Sequence, residues 1–89
     1  MPDLDPEGAY ELDPRVALRP EPFGALAYHY GNRRLTFLRS ARLVELVRSL
    51  AGHPSLDSAL TAAAWPATGR TQALTALGRL LDSGVIRAR

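Results

Sequence analysis

Few side chains in this chain could carry out a reaction. His29 and His53 are its only histidines, and cysteine is absent. Without a thiol there is no cysteine nucleophile, no thiolate metal site and no disulfide framework. The two histidines are far apart in sequence and supply no metal-ligand set, and no serine, histidine and acid stand in a recognisable signature. A glycine-rich phosphate loop is also missing. Glu45 and Asp57 read as helix-surface charges. The residues therefore assign no catalytic group, no metal and no cofactor, and the chain is expected not to be an enzyme. What it holds in quantity is arginine, which makes up all eleven of its basic residues. Arg33, Arg34, Arg39, Arg42 and Arg48 fall within sixteen residues. A guanidinium makes forked contacts with carboxylate or phosphate. The plain reading of this cluster is a solvated face; the sharper ones are an acidic peptide or a nucleic acid as partner.

The charge is unevenly placed. Residues 1–13 carry five acids and no base, whereas the net charge of the whole chain is +2. The acidic stretch could fold back onto the basic face. It contains Pro2, Pro6 and Gly8 and is expected to be a flexible segment, residues 1–14, in front of a single domain, residues 15–89. With 89 residues the chain buries a modest core. Nothing approaches a membrane span, and the acidic start is not a secretory signal, so a soluble cytoplasmic protein is expected.

The elements that must position the arginines are legible in residues 16–38, VALRPEPFGALAYHYGNRRLTFL. This run reads as three strands. The first ends at Pro20-Glu21-Pro22, because proline has no N–H for a ladder. The second alternates, with Leu26, Tyr28 and Tyr30 on one face and Ala25, Ala27 and His29 on the other. Gly31-Asn32 suits a two-residue hairpin loop with positive φ. That loop sets Tyr30 opposite Arg33, Tyr28 opposite Leu35, Leu26 opposite Phe37 and Ala27 opposite Thr36. The aromatic and aliphatic face is expected to be the core side. Tyr10, Glu11 and Leu12 can add a short strand.

From Ser40 onward the pattern is helical. Ser40 caps a first helix carrying Leu43, Val44, Leu46, Val47 and Leu50, and Gly52 ends it. Pro54-Ser55 opens a second helix that Trp65-Pro66 closes. A third runs from about Thr71 to Ser83, with Gly84 as its C′ residue and Val85 folding back onto Leu80. Leu74, Leu77 and Leu81 form one apolar stripe on this helix, expected to face the core. Ala73, Ala76 and Leu80 form a second stripe, expected to leave a shallow groove. The fold class is α+β, winged-helix-like, a three-stranded antiparallel sheet followed by three α-helices.

If the strands lie in the order 1-2-3, residues 33–39 (RRLTFLR) pair on one side only. Their other edge offers unpaired N–H and C=O groups to an extended peptide. Arg33, Arg34, Leu35, Thr36, Phe37 and Leu38 would hold it as a fourth strand, and its apolar side chains would enter the groove beside Ala73, Ala76 and Leu80. The same vacant edge could pair with a second copy to give a homodimer. The runner-up is a winged-helix DNA-binding module. Its reading helix, TQALTALGRLLDS, carries mostly Ala and Leu where base readout wants Arg, Asn, Gln or Lys, so nucleic acid is the weaker reading.

VALRPEPFGALAYHYGNRRLTFL, followed by a short helix with Leu50 and Gly52 and a closing LGRLLDSGVI, resembles the mycofactocin biosynthesis peptide chaperones. These are a branch of the PqqD-like precursor-peptide recognition elements of ribosomally made, modified peptides. The resemblance spans roughly residues 10–89. It implies a small winged-helix-like domain without catalysis. Such a domain binds the leader of the mycofactocin precursor peptide and presents it to a radical S-adenosylmethionine maturase. The iron–sulfur clusters would belong to the maturase, since this chain has no cysteine. The resemblance places the leader along Arg34, Leu35, Thr36, Phe37 and Leu38 and against Ala73, Ala76, Leu77 and Leu80.

Overall fold

The computed structural model describes residues 4–89. The start of the expected flexible segment, residues 1–3, lies outside them. The fold is α+β: strands β1 (Tyr10–Leu12), β2 (Val16–Glu21), β3 (Gly24–His29) and β4 (Leu35–Leu38) precede helices α1 (Ala41–Ser49), α2 (Leu56–Ala62) and α3 (Arg70–Ser83), and a short strand β5 (Ile86–Ala88) follows. β2, β3 and β4 form an antiparallel sheet in that order, while β1 and β5 form a separate two-stranded sheet. β5 has no counterpart in the sequence reading, which carries the helical pattern to the end.

The register across β3 and β4 is the expected one: Tyr28 faces Leu35, Leu26 faces Phe37, and Ala27 faces Thr36. The loop that sets it is different. His29 N–H donates to the Arg34 carbonyl at 3.0 Å and Arg33 N–H to the His29 carbonyl at 2.8 Å, so Tyr30, Gly31, Asn32 and Arg33 all belong to the turn. The left-handed residue is Arg33, with φ 62°, not Gly31 or Asn32. The cause is His29, whose Nδ1 accepts the N–H groups of Gly31 (2.9 Å) and Asn32 (3.0 Å). Asn32 Oδ1 in turn accepts Arg34 N–H at 2.9 Å. Three side-chain bonds thus replace a tight two-residue turn. Pairing survives because the wider loop removes the same number of residues from each strand.

The face of the sheet is the opposite of the one expected. Ala25, Ala27, His29 and Leu38 point into the core, at 0%, 1%, 4% and 1% exposure. Tyr30, Leu35 and Phe37 stand out at 65%, 59% and 55%. Small alanines on the central strand make room for α1, whose Leu46 and Val47 are fully buried. Close packing favours alanines against a helix over two tyrosines whose hydroxyls would then need partners. Gly24 shows how tight this layer is: its φ is 144°, and a Cβ there would lie 2.1 Å from the Leu38 carbonyl oxygen.

β2 reaches two residues past its expected end, to Glu21, and holds Pro20 within it. An edge strand tolerates this because an outward-facing residue owes no ladder bond. The helix caps follow the sequence. Ser40 Oγ accepts Leu43 N–H at 3.2 Å and Ser55 Oγ accepts Ser58 N–H at 3.0 Å. Gly84 ends α3 at φ 86°, with Val85 N–H donating to Leu80 at 2.9 Å.

On α3 the buried residues are Ala73, Leu77, Gly78 and Leu80. Leu74 and Leu81, expected in the core stripe, are only partly buried. The described part of the acidic segment is tied into the domain: Tyr10 and Asp13 are buried, and Leu56 and Asp57 donate their N–H groups to the Gly8 and Pro6 carbonyls. Glu11 pairs with Arg87 and Asp13 with Arg15. Among the described residues, no acid of this segment pairs with Arg33, Arg34, Arg39, Arg42 or Arg48.

Candidate functional site

β4 is an edge of its sheet. The outward-facing backbone groups follow from strand alternation. The His29–Arg34 bond aims Arg34 at β3. In an antiparallel ladder every second residue does the same, so Thr36 and Leu38 also face β3. Leu35 and Phe37 therefore turn their N–H and C=O groups away from the sheet. None of these four groups has a hydrogen-bond partner among the described residues.

The opposite edge is blunted by its own sequence. Tyr30 N–H donates to the Arg15 carbonyl at 2.8 Å, which aims Ala17, Arg19 and Glu21 at β3 and turns Val16, Leu18 and Pro20 outward. Val16 N–H is taken by the Asp13 carbonyl at 2.9 Å. Pro20 has no N–H at all. Only Leu18 offers a donor there, so proline blunts β2 as it blunts edge strands generally. β4 has no such guard.

Past the C-terminal end of β4 lies a hollow of about 480 Å³, bordered by Ser40, Leu43, Trp65, Gln72, Ala73 and Ala76. It begins where β4 hands over to α1 and runs along the N-terminal half of α3. At the other end the sheet and α3 are tied together, because Asn32 Nδ2 donates to the Ser83 carbonyl at 3.1 Å. Arg42 also lines the hollow, next to Trp65. Its guanidinium lies 4.8 Å from the Trp65 ring centroid and donates to the Ala63 carbonyl at 3.3 Å. Trp65 Nε1–H donates to the Gly69 carbonyl at 3.3 Å.

Of the residues singled out from sequence, Ala73 and Ala76 line this hollow. Leu77 and Leu80 do not: at 0% and 4% exposure they belong to the core beneath it. Arg33, Arg34, Leu35 and Phe37 are exposed along β4 and its turn, Thr36 is half-buried, and Leu38 is in the core. Arg42 is engaged within the fold. Leu43, Trp65 and Gln72 also border the hollow. Sequence reasoning assigned Leu43 to the apolar face of the first helix, Trp65 to core or base stacking and Gln72 to base readout, and none of them to the peptide site, although the Ser40 cap already places Leu43 on the first turn beside the strand's exit. On the exposed face of α3, Gln72 and Arg79 are the residues suited to reading bases, and Arg70 is paired with Asp57.

His29 and Asp13 make a buried polar pair below the hairpin, Nε2 to Oδ2 at 3.6 Å. Asp13 also accepts Arg15 Nε at 3.2 Å and its backbone N–H at 2.8 Å. The Arg15 guanidinium holds the Asp13 carboxyl down at about 2, against the opposing effect of burial. These groups brace the turn that carries Arg33 and Arg34. Among the described residues no cluster of His, Cys, Asp and Glu could hold a metal ion, and no helix is long and apolar enough to cross a membrane.

An open sheet edge with an apolar hollow past its end is the geometry of a binding surface. The comparisons give the family. The model of the peptide chaperone MftB family matches residues 9–87. The chain is 48% identical over 83 residues to the peptide chaperone MftB of Mycolicibacterium smegmatis, covering 93% of this chain and 81% of that protein. It is 39% identical over 87 residues to the peptide chaperone MftB of Mycobacterium tuberculosis, covering 98% and 80%. No solved structure matches the chain. The chain belongs to the peptide chaperone MftB family, whose members are named as chaperones and not as enzymes.

Proposed function

We propose that this chain binds the leader of the mycofactocin precursor peptide as an added strand on β4 and presents it to a radical S-adenosylmethionine maturase. The single observation that carries the reading is the asymmetry of the sheet. Leu35 and Phe37 hold free N–H and C=O groups along β4, and a hollow opens past the end of that strand, whereas on the outward edge of β2 only Leu18 offers a donor. Family membership supports a peptide as the guest.

Four backbone groups on β4 give four hydrogen bonds, each a net ~1 kcal/mol. Ordering a disordered peptide costs about 2–5 kcal/mol. The ladder alone is thus close to balance, and side chains must supply the affinity. The hollow serves that end with Leu43, Ala73 and Ala76. Arg33, Arg34 and Arg39, which have no carboxylate partner among the described residues, favour an acidic leader and speed its encounter.

Calorimetric titration of a synthetic precursor leader tests the reading. Saturable binding is expected, and no heat up to about 100 μM refutes it. A pull-down of the maturase with and without the leader separates presentation from simple docking: capture that is independent of leader overturns the chaperone step.

A further inference from the structure

The outer face of the sheet is uncovered. Leu35 and Phe37 are more than half exposed, with Phe23 at 38% and Tyr30 at 65%. The patch is organised. Phe23 and Phe37 meet at a tilt of 56° with centroids 5.8 Å apart, Tyr28 meets Tyr30 edge-on at 5.0 Å, and the Arg39 guanidinium lies 5.4 Å from the Phe37 ring centroid. Tyr28 and Leu26 stand directly behind Leu35 and Phe37 on the same face.

In a strand, backbone direction and side-chain face alternate together. Leu35 and Phe37, whose backbones are open to a guest, are for that reason the residues whose side chains point outward. A guest residue bonded to Leu35 has its side chain on the same outer face, about 5 Å from that of Leu35. The guest residue two positions away meets Phe37 in the same manner. The guest residue between them faces the other side of the sheet, the side of Thr36. The unpaired Arg33, Arg34 and Arg39 stand at the two ends of this strip.

Resting on the strand-addition reading, we propose that this outer face is the specificity half of the peptide site. Its occupant is an extended, acidic segment with two apolar, strand-forming side chains spaced two residues apart, seated on Leu35 and Phe37. Covering the exposed half of each of those side chains is worth about threefold to tenfold in affinity.

Two synthetic peptides of identical composition test this. One carries isoleucine and phenylalanine separated by a single serine and flanked by aspartates; in the other the two apolar residues are adjacent. Affinity is read by fluorescence anisotropy, and amide exchange at residues 35 and 37 is read by NMR in the same samples. The spaced peptide is expected to bind more tightly and to protect both amides. Leu35→Thr and Phe37→Thr, which keep strand propensity at exposed positions, should each weaken it by about threefold to tenfold. The adjacent peptide should lose much less. Equal affinity of the two peptides, with no effect of either variant, overturns the proposal. In that event amides that are still protected leave strand addition standing, whereas unprotected amides remove it as well. Peptide-free protein that shows the same protection on concentration assigns the face to a second copy, which also overturns the proposal.

Discussion

Proline at neighbouring positions of β4 should have opposite consequences, and the contrast tests the edge directly. Leu35 opens the strand and turns its N–H away from β3, so Leu35→Pro removes no ladder bond of the folded protein. It does remove one donor from a guest strand, and its ring crowds the facing carbonyl. Two of the four guest bonds are compromised, about 2 kcal/mol at a net ~1 kcal/mol each. That is about a thirtyfold loss of affinity for the leader. Thr36 is aimed at Ala27 on β3, so Thr36→Pro breaks a bond inside the sheet at a cost of roughly 1–3 kcal/mol. Its melting temperature should fall on the order of 10 °C, while that of Leu35→Pro changes little. Calorimetry with the leader and thermal unfolding by circular dichroism read both effects. If Leu35→Pro binds normally while folded Thr36→Pro does not, the backbone directions assigned to β4 are reversed and the site fails with them.

Other consequences are more local. Arg33 sits at φ 62°, where a side chain costs about 1–2 kcal/mol. Arg33→Gly should therefore raise stability by about 1 kcal/mol in urea unfolding, while the salt dependence of leader binding becomes shallower. Ala64 closes α2 at φ 54°, and Ala64→Gly should likewise stabilise by up to ~1 kcal/mol with unchanged leader affinity. Asp13, held at about 2 by Arg15, has a folded value below its ordinary 3.8. Its contribution is complete above about pH 4 and is lost as pH falls toward 2, so unfolding free energy should drop across that window and Asp13→Asn should flatten the drop. Arg15 is largely exposed, so added salt should reduce the size of this step.

The register of the hairpin was readable because alternation in two segments fixes it whichever symmetric loop joins them. The choice of buried face was not, since a period of two has two equivalent phases and only the partner layer decides between them. Volume on one strand points the wrong way here: Leu26 and Tyr28 look like core, yet α1 packs onto Ala25 and Ala27. His29 held the clue. An imidazole that accepts two turn N–H groups must lie on the braced side of the hairpin, but its partner Asp13 comes from a different segment. β5 was hidden for a related reason. Its three residues carry no pattern of their own and become a strand only against Tyr10–Leu12 at the other end of the chain.

The open edge itself was legible, and the inverted face changes what that edge can do. With the expected facing, Leu35 and Phe37 would have been core, and a guest strand would have found apolar contacts only beneath the sheet. As folded, the two residues that offer backbone bonds also offer uncovered side chains. On the proposed reading a guest is gripped by the ladder along its length and by the Leu35–Phe37 strip on its outer face, and the hollow past the end of β4 is left for the side chains that follow. A short peptide that must overcome its own ordering cost gains most from such a site, because each residue it orders makes a contact on one face or the other.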